Sequence, residues 1–210
     1  MSARTIALYA TDTMADWEYA YLTTQIVQAE QARPGRFSLT LVGDGLAEVT
    51  SLGGMPVRPA RDLADLVDDG SLAALVLPGG EHYDKGHERV IETVRALIDR
   101  EVPVAAICGA TFLLARAGLL DDRRHTSNDP GYLQLTGYAG GPLYTDAPAV
   151  TDRGITTASG IHAVPFTAEI MRITGLYPVD VANAWEQLFR TGEAQHFHRL
   201  MEATRAWQNS

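Results

Sequence analysis

Short β-rich runs alternate along this chain with longer helical patterns, and no other feature constrains the fold as much. The runs lie at residues 5–10, 37–42, 72–78, 102–107 and 154–159. Several are apolar on both faces, as strands inside a parallel sheet must be when helices cover both of its sides. Tyr19, Leu22, Ile26 and Ala29 form a helical stripe behind Asp16, a candidate N-cap. Val90, Ile91, Val94, Leu97 and Ile98 form a stronger stripe. A third helix is expected after Cys108, stopping at Gly118 as a C′ glycine. Others are expected over 163–174, after Pro178, and over 194–207, where Trp207 reads as an exposed aromatic. Residues 49–59, with Gly53-Gly54, read as a hairpin. Alternation of this kind predicts an α/β doubly wound sandwich, mostly parallel, with helices on both faces. In such sheets ligands bind at the carboxyl ends of the strands.

With 210 residues the chain is read as one domain spanning 1–210. Its net charge of −9, with no basic face, argues against nucleic acid and against an anionic membrane surface. Cys108 is the sole cysteine, so an intrachain disulfide and a cysteine-rich metal site are excluded, and neither a metal nor a cofactor is expected. Residues 1–10 lack a long apolar leader core, and the longest uncharged stretch, 102–115, is too short to span a bilayer. A cytoplasmic protein is the expectation.

The turns at the strand ends carry the chemistry. Cys108 ends one β-rich run and a helix follows at once, with Ala106 and Ala110 two residues to either side. A nucleophile elbow needs small residues at those places, because strand and helix pack tightly around it. The helix N-terminus would favour a thiolate there. Gly79 and Gly80 end another strand; the backbone N–H groups of Gly80 and Gly109 are candidates for an oxyanion hole. Glu18 falls in the first turn of the helix after the first strand, where its carboxyl could exchange a proton with the Cys108 sulfur. First-turn acids also arise simply to complement the helix dipole. Trp17 and Tyr83 could supply an apolar setting for that carboxyl.

Among the histidines, His82 and His87 follow the double glycine, and His196 and His198 do not share a helix face. His162, in a turn after Gly160, is the expected partner of Cys108; His125 comes next, unless it points away and Ser127 or Asn128 faces the site.

Taken together, Asp16-Trp17-Glu18, LPGG at 77–80, AAICGA at 105–110, RRHTSN at 123–128 and TTASG at 156–160 resemble the ThiJ/PfpI family of the class I glutamine amidotransferase-like superfamily. The resemblance implies a flavodoxin-like sandwich, usually a homodimer. It implies Cys108 as nucleophile, Glu18 as the carboxyl bonded to it, and Gly80 and Gly109 as the oxyanion hole. Three family ways of supplying a histidine are incomplete here: Gly109 follows the cysteine, no glutamate follows His162, and Asn128 stands where one branch has a histidine. His162, His125 or Glu18 itself is left as the base. The expected function is a cysteine-dependent enzyme, hydrolase, amidase or glyoxalase/hydratase-like, acting on a small electrophilic carbonyl or amide. The alternative is a redox-responsive sensor or chaperone-like protein; a glutamine amidotransferase subunit ranks below both.

Overall fold

A computed structural model describes residues 3–210. Its main sheet has seven strands: β1 (Arg4–Tyr9), β2 (Phe37–Gly43), β5 (Arg61–Asp62), β6 (Leu72–Leu77), β7 (Val104–Ile107), β8 (Ala149–Asp152) and β9 (Ile155–Ala158). Their order is β5-β2-β1-β6-β7-β9-β8. Every pairing is parallel except that of β8 with β9. The remaining strands, β3 (Val49–Thr50) and β4 (Pro56–Val57), form the expected separate hairpin.

Alternation along β1 splits the core in two. Ile6 and Leu8 face α1 (Asp16–Ala32) and α5 (Ala163–Thr174), packing with Leu22, Ile26, Phe166 and Ile170. Ala7 and Tyr9 face the other layer, with Val94 and Leu97 of α2 (Glu88–Asp99) and Leu113 of α3 (Gly109–Arg116). Because both faces are covered, all six residues of β6 are buried. This is the predicted sandwich.

Three details depart from expectation. Ala15, not Asp16, is the N-cap of α1. The Asp16 carboxylate instead accepts from Gly53 N–H at 2.7 Å, tying the hairpin to the helix. The edge strand β8 and the short α4 (Pro130–Gln134) are additions. β8 turns into β9 through Arg153 and Gly154 at φ 44° and 79°, a two-residue hairpin connection. Trp207, in α7 (Ala194–Gln208), is buried against the Tyr177 ring, with the Arg33 and Arg36 guanidiniums over its face. Exposed Tyr21, Phe189 and Phe197 lie beside a groove of about 680 Å³ between α1, α6 (Val179–Thr191) and α7.

Candidate active site

Four strands that are neighbours in the sheet, β1, β6, β7 and β9, send their carboxyl-terminal turns to one place. The turn after β7 is the sharpest. Cys108 bonds to Ala158 O through its N–H at 3.0 Å and takes φ 57°, ψ −122° before α3 begins. A side chain in that region is strained by about 1–3 kcal/mol, and only over-determined surroundings keep it there. Ala106 and Ala110 are fully buried, leaving room for the close approach. Thr111 holds the turn from below: its hydroxyl donates to Cys108 O at 2.6 Å and lies 2.7 Å from the Ser127 hydroxyl.

Glu18 arrives from the first turn of α1 and is fully buried. Gly79 N–H donates to its Oε2 at 2.6 Å. Its Oε1 is buried without a formed hydrogen bond. A Cβ placed on Gly160 would lie 2.9 Å from both Glu18 Oε1 and Cys108 Sγ, so carboxyl and sulfur face each other across that glycine. Burial pushes the Glu18 pKa up to about 7, against the smaller opposing effects of Gly79 N–H and the Cys108 thiol. Burial also pushes the Cys108 thiol up, and the Glu18 charge adds to it; Asn128 and Gly109 N–H pull the other way. The thiol is thus raised, chiefly by desolvation and by the Glu18 charge, although it stands at a helix N-terminus.

Asn128 supplies the hydrogen bond to sulfur. Its Nδ2 donates to Cys108 Sγ at 3.2 Å and its Oδ1 accepts from Gly160 N–H at 2.8 Å. The second bond fixes which end of the amide faces the sulfur. Trp17 pins the same glycine from the opposite side, its indole N–H donating to Gly160 O at 3.1 Å while about half the ring stays exposed. Gly80 and Gly109 touch back to back: a Cβ on Gly109 would lie 2.5 Å from Gly80 O, so no larger residue fits there. Tyr83 is buried beneath them, donating to Pro78 O at 2.7 Å, its ring tilted against that of His87.

Neither candidate histidine hydrogen-bonds to the sulfur. His125 is fully buried and turned away, its ring nitrogens bonded with Arg123 O at 2.9 Å and Tyr138 Oη at 3.0 Å. The reason is local: Thr126 N–H bonds to Thr157 Oγ1 and Thr126 Oγ1 to Ala147 O, so the segment projects Asn128 toward the sulfur and His125 to its back. His162 is the N-cap of α5, makes no hydrogen bond to Cys108, and leaves its buried Nδ1 without a partner. The sulfur is thus served by a carboxyl and an amide. The sequence offers Ser127 and Asn128 alike as the residue facing the site and does not show the double role of Asn128. Among the described residues no His, Cys, Asp and Glu cluster could hold a metal ion.

Glu18 makes a stability prediction with a definite sign. Its folded pKa of about 7 lies above the ordinary 4.5, so the native state retains a proton that the unfolded chain releases. The stability this gives is complete below 4.5 and is lost as pH rises through 7. Replacing Glu18 by glutamine keeps an acceptor for Gly79 N–H and removes the charge. Glu18→Gln is expected to be more stable than the parent at pH 8 by about 1–3 kcal/mol, a rise of several degrees in Tm, with the difference vanishing near pH 4.5. Thermal melts across that range check it; a difference independent of pH contradicts the burial of this carboxylate.

Residues 4–173 match the DJ-1/PfpI family. A Bacillus subtilis protein named as an uncharacterized protease, YoaZ, is 34% identical over 206 residues, covering 96% of this chain and 98% of its own. A thiJ/pfpI family protein from Bacillus anthracis superposes with a TM-score of 0.86 at 31% identity, covering 97% of this chain and 98% of its own. A DJ-1 superfamily protein from Agrobacterium tumefaciens gives 0.77 at 33% identity, covering 90% and 98%.

Proposed function

The chain belongs to the DJ-1/PfpI family, and from that premise we propose that it is a cysteine-dependent enzyme acting on a small electrophilic carbonyl or amide. One observation carries the reading: the Cys108 sulfur, on a strained turn, faces a buried carboxyl whose Oε1 has no other partner. Cys108 acts as the elbow nucleophile. As Sγ attacks the electrophilic carbon, Glu18 Oε1 takes the thiol proton. A base with a pKa of about 7 has the strength to accept that proton at neutral pH and to return it later. The oxygen that gains charge is received by the N–H groups of Gly80 and Gly109. Glu18 then protonates the leaving group as the carbonyl re-forms and a thioester is left on Sγ; it next takes a proton from the water that attacks this thioester and returns it to Sγ as the C–S bond breaks. Asn128 keeps the sulfur aimed throughout.

Family relatives named as proteases favour a hydrolase; the site would also suit an α-oxoaldehyde, whose hemithioacetal becomes a thioester when Glu18 moves a proton from one carbon to the next, water then releasing the acid and the thiol. Incubation with a panel of small aldehydes, amides and nitriles tests the proposal. It expects turnover in at least one class, with a mass increase on Cys108 during the reaction. A panel without turnover or adduct contradicts it.

The redox-sensor reading keeps one observation in its favour. Asn128 Nδ2, Gly109 N–H and a protonated Glu18 would hydrogen-bond the oxygens of an oxidised sulfur as readily as a substrate's. Cys108 stopping at a sulfinate under mild peroxide, with no turnover on the panel, would favour it. The glutamine amidotransferase reading gains nothing, since no histidine bonds to the sulfur.

We also propose a homodimer in the cytoplasm. The groove between α1, α6 and α7 is lined without a single charged residue and leaves Tyr21, Phe189, Phe197 and Met201 exposed, which suits a second copy. Light scattering is expected to give twice the chain mass at micromolar concentration; a monomer alone contradicts it. No helix among the described residues is long and apolar enough to cross a membrane.

A further inference from the structure

We propose that the Cys108 site selects neutral electrophiles with an apolar flank and turns away carboxylate-bearing ones; this inference rests on the reading of Cys108 as the attacking atom. The hydrogen-bond donor to the sulfur is Asn128 Nδ2 and the donor to Glu18 is Gly79 N–H. No lysine or arginine is among them. Of the cations on the neighbouring turns, Arg116 donates to Asp84 O and Gly86 O, and Lys85 is exposed.

A substrate carboxylate reaching Cys108 would therefore meet the Glu18 charge with no counter-ion. The N-terminus of α3 contributes about half a positive charge, less than the full negative charge opposite it. Asp12 and Glu81, on the loops that flank Gly80, and the net charge of −9 add to the repulsion at longer range. Two exposed apolar side chains adjoin Gly160, the residue that lies against the sulfur. Trp17, half exposed, and Ile161, 86% exposed, flank Gly160 on the solvent side of the site. Tyr132, its ring tilted against Phe112, adds a half-buried aromatic in α4, four residues after Asn128. A neutral substrate with a hydrocarbon or aromatic end meets a matching rim.

Alkylation tests this without a known substrate. Iodoacetamide and iodoacetate react alike: the sulfur forms a bond to the methylene carbon and iodide leaves. They differ in one charge. At pH 8 the ratio of iodoacetamide to iodoacetate rates at Cys108 is expected to exceed that of free cysteine at least about tenfold, the scale of one like charge at short range. N-benzyl iodoacetamide is expected to outpace iodoacetamide, and Ile161→Lys to narrow the charge ratio, since a cation is then placed on the rim. Ile161 is too exposed for its replacement to threaten the fold. A charge ratio within twofold of free cysteine, or faster iodoacetate, overturns the proposal. The readout needs no turnover, so a silent substrate panel with the ratio intact sinks the enzyme reading alone, and an active panel with a normal ratio sinks this inference alone.

Discussion

Cys108→Ser is expected to lower turnover by on the order of 10⁴-fold or more, as loss of a nucleophile does elsewhere, while leaving the fold intact. Serine fits the space, and its hydroxyl can accept the Asn128 Nδ2 hydrogen bond that the sulfur accepts now. The loss is chemical. A thiol is within reach of a carboxylate base whose pKa is about 7; an alkanol, several units less acidic, is not. Melting curves of the two proteins should coincide closely, which separates lost chemistry from lost structure. Retention of a tenth of the parent rate in a correctly folded Cys108→Ser would remove Cys108 from the reaction.

Glu18→Gln is expected to cost 10²- to 10⁴-fold, the range for loss of a general base. Its geometry should survive. Glutamine retains the acceptor for Gly79 N–H and fills the volume between that glycine and Gly160. What it cannot do is receive the thiol proton. The same substitution is the one expected to stabilise the protein at pH 8, so activity and stability should move in opposite directions. A residue that merely propped the site would lose both together. A loss below tenfold would return proton transfer to a histidine, with His162 the first to test by His162→Ala, since its Nδ1 is buried and unpartnered.

Much of the fold was legible because the core strands carry their burial in their composition. LAALVL at Leu72–Leu77 is apolar on both faces and all of it is buried. The α5 boundaries, Ala163–Thr174, follow from the glycine before them and Gly175 after, which sits at φ 67° as a C-cap. β8 was missed because Ala149–Asp152 is short and half exposed, and gains its stability from pairing with β9 rather than from its own pattern. Within the site, the elbow was readable from Ala106, Cys108 and Ala110, since tight packing demands small residues there. The convergence of Glu18 and Gly79 on Cys108 followed from strand ends. Which side chain of the 125–128 segment faces the sulfur did not. That depends on the bonds of Thr126 to Thr157 and Ala147, which belong to other strands and loops. The direction of the Cys108 shift was also beyond sequence: the helix end is local and visible, whereas burial and the Glu18 charge exist only once the chain has folded.

The central claim is that Glu18 and Cys108 share a proton, and the alkylation rate of Cys108 against pH addresses it directly. A coupled pair gives up its protons in two macroscopic steps that belong to the pair. The first, near 7, leaves one proton shared between carboxyl and sulfur, so that some thiolate is present well below the titration of an isolated buried thiol. The parent protein is expected to show a two-stage profile with its first rise near pH 7. Glu18→Gln should lose that first stage and His162→Ala should keep it. A single-stage profile in the parent, or a first stage that disappears with His162 instead, would contradict the account.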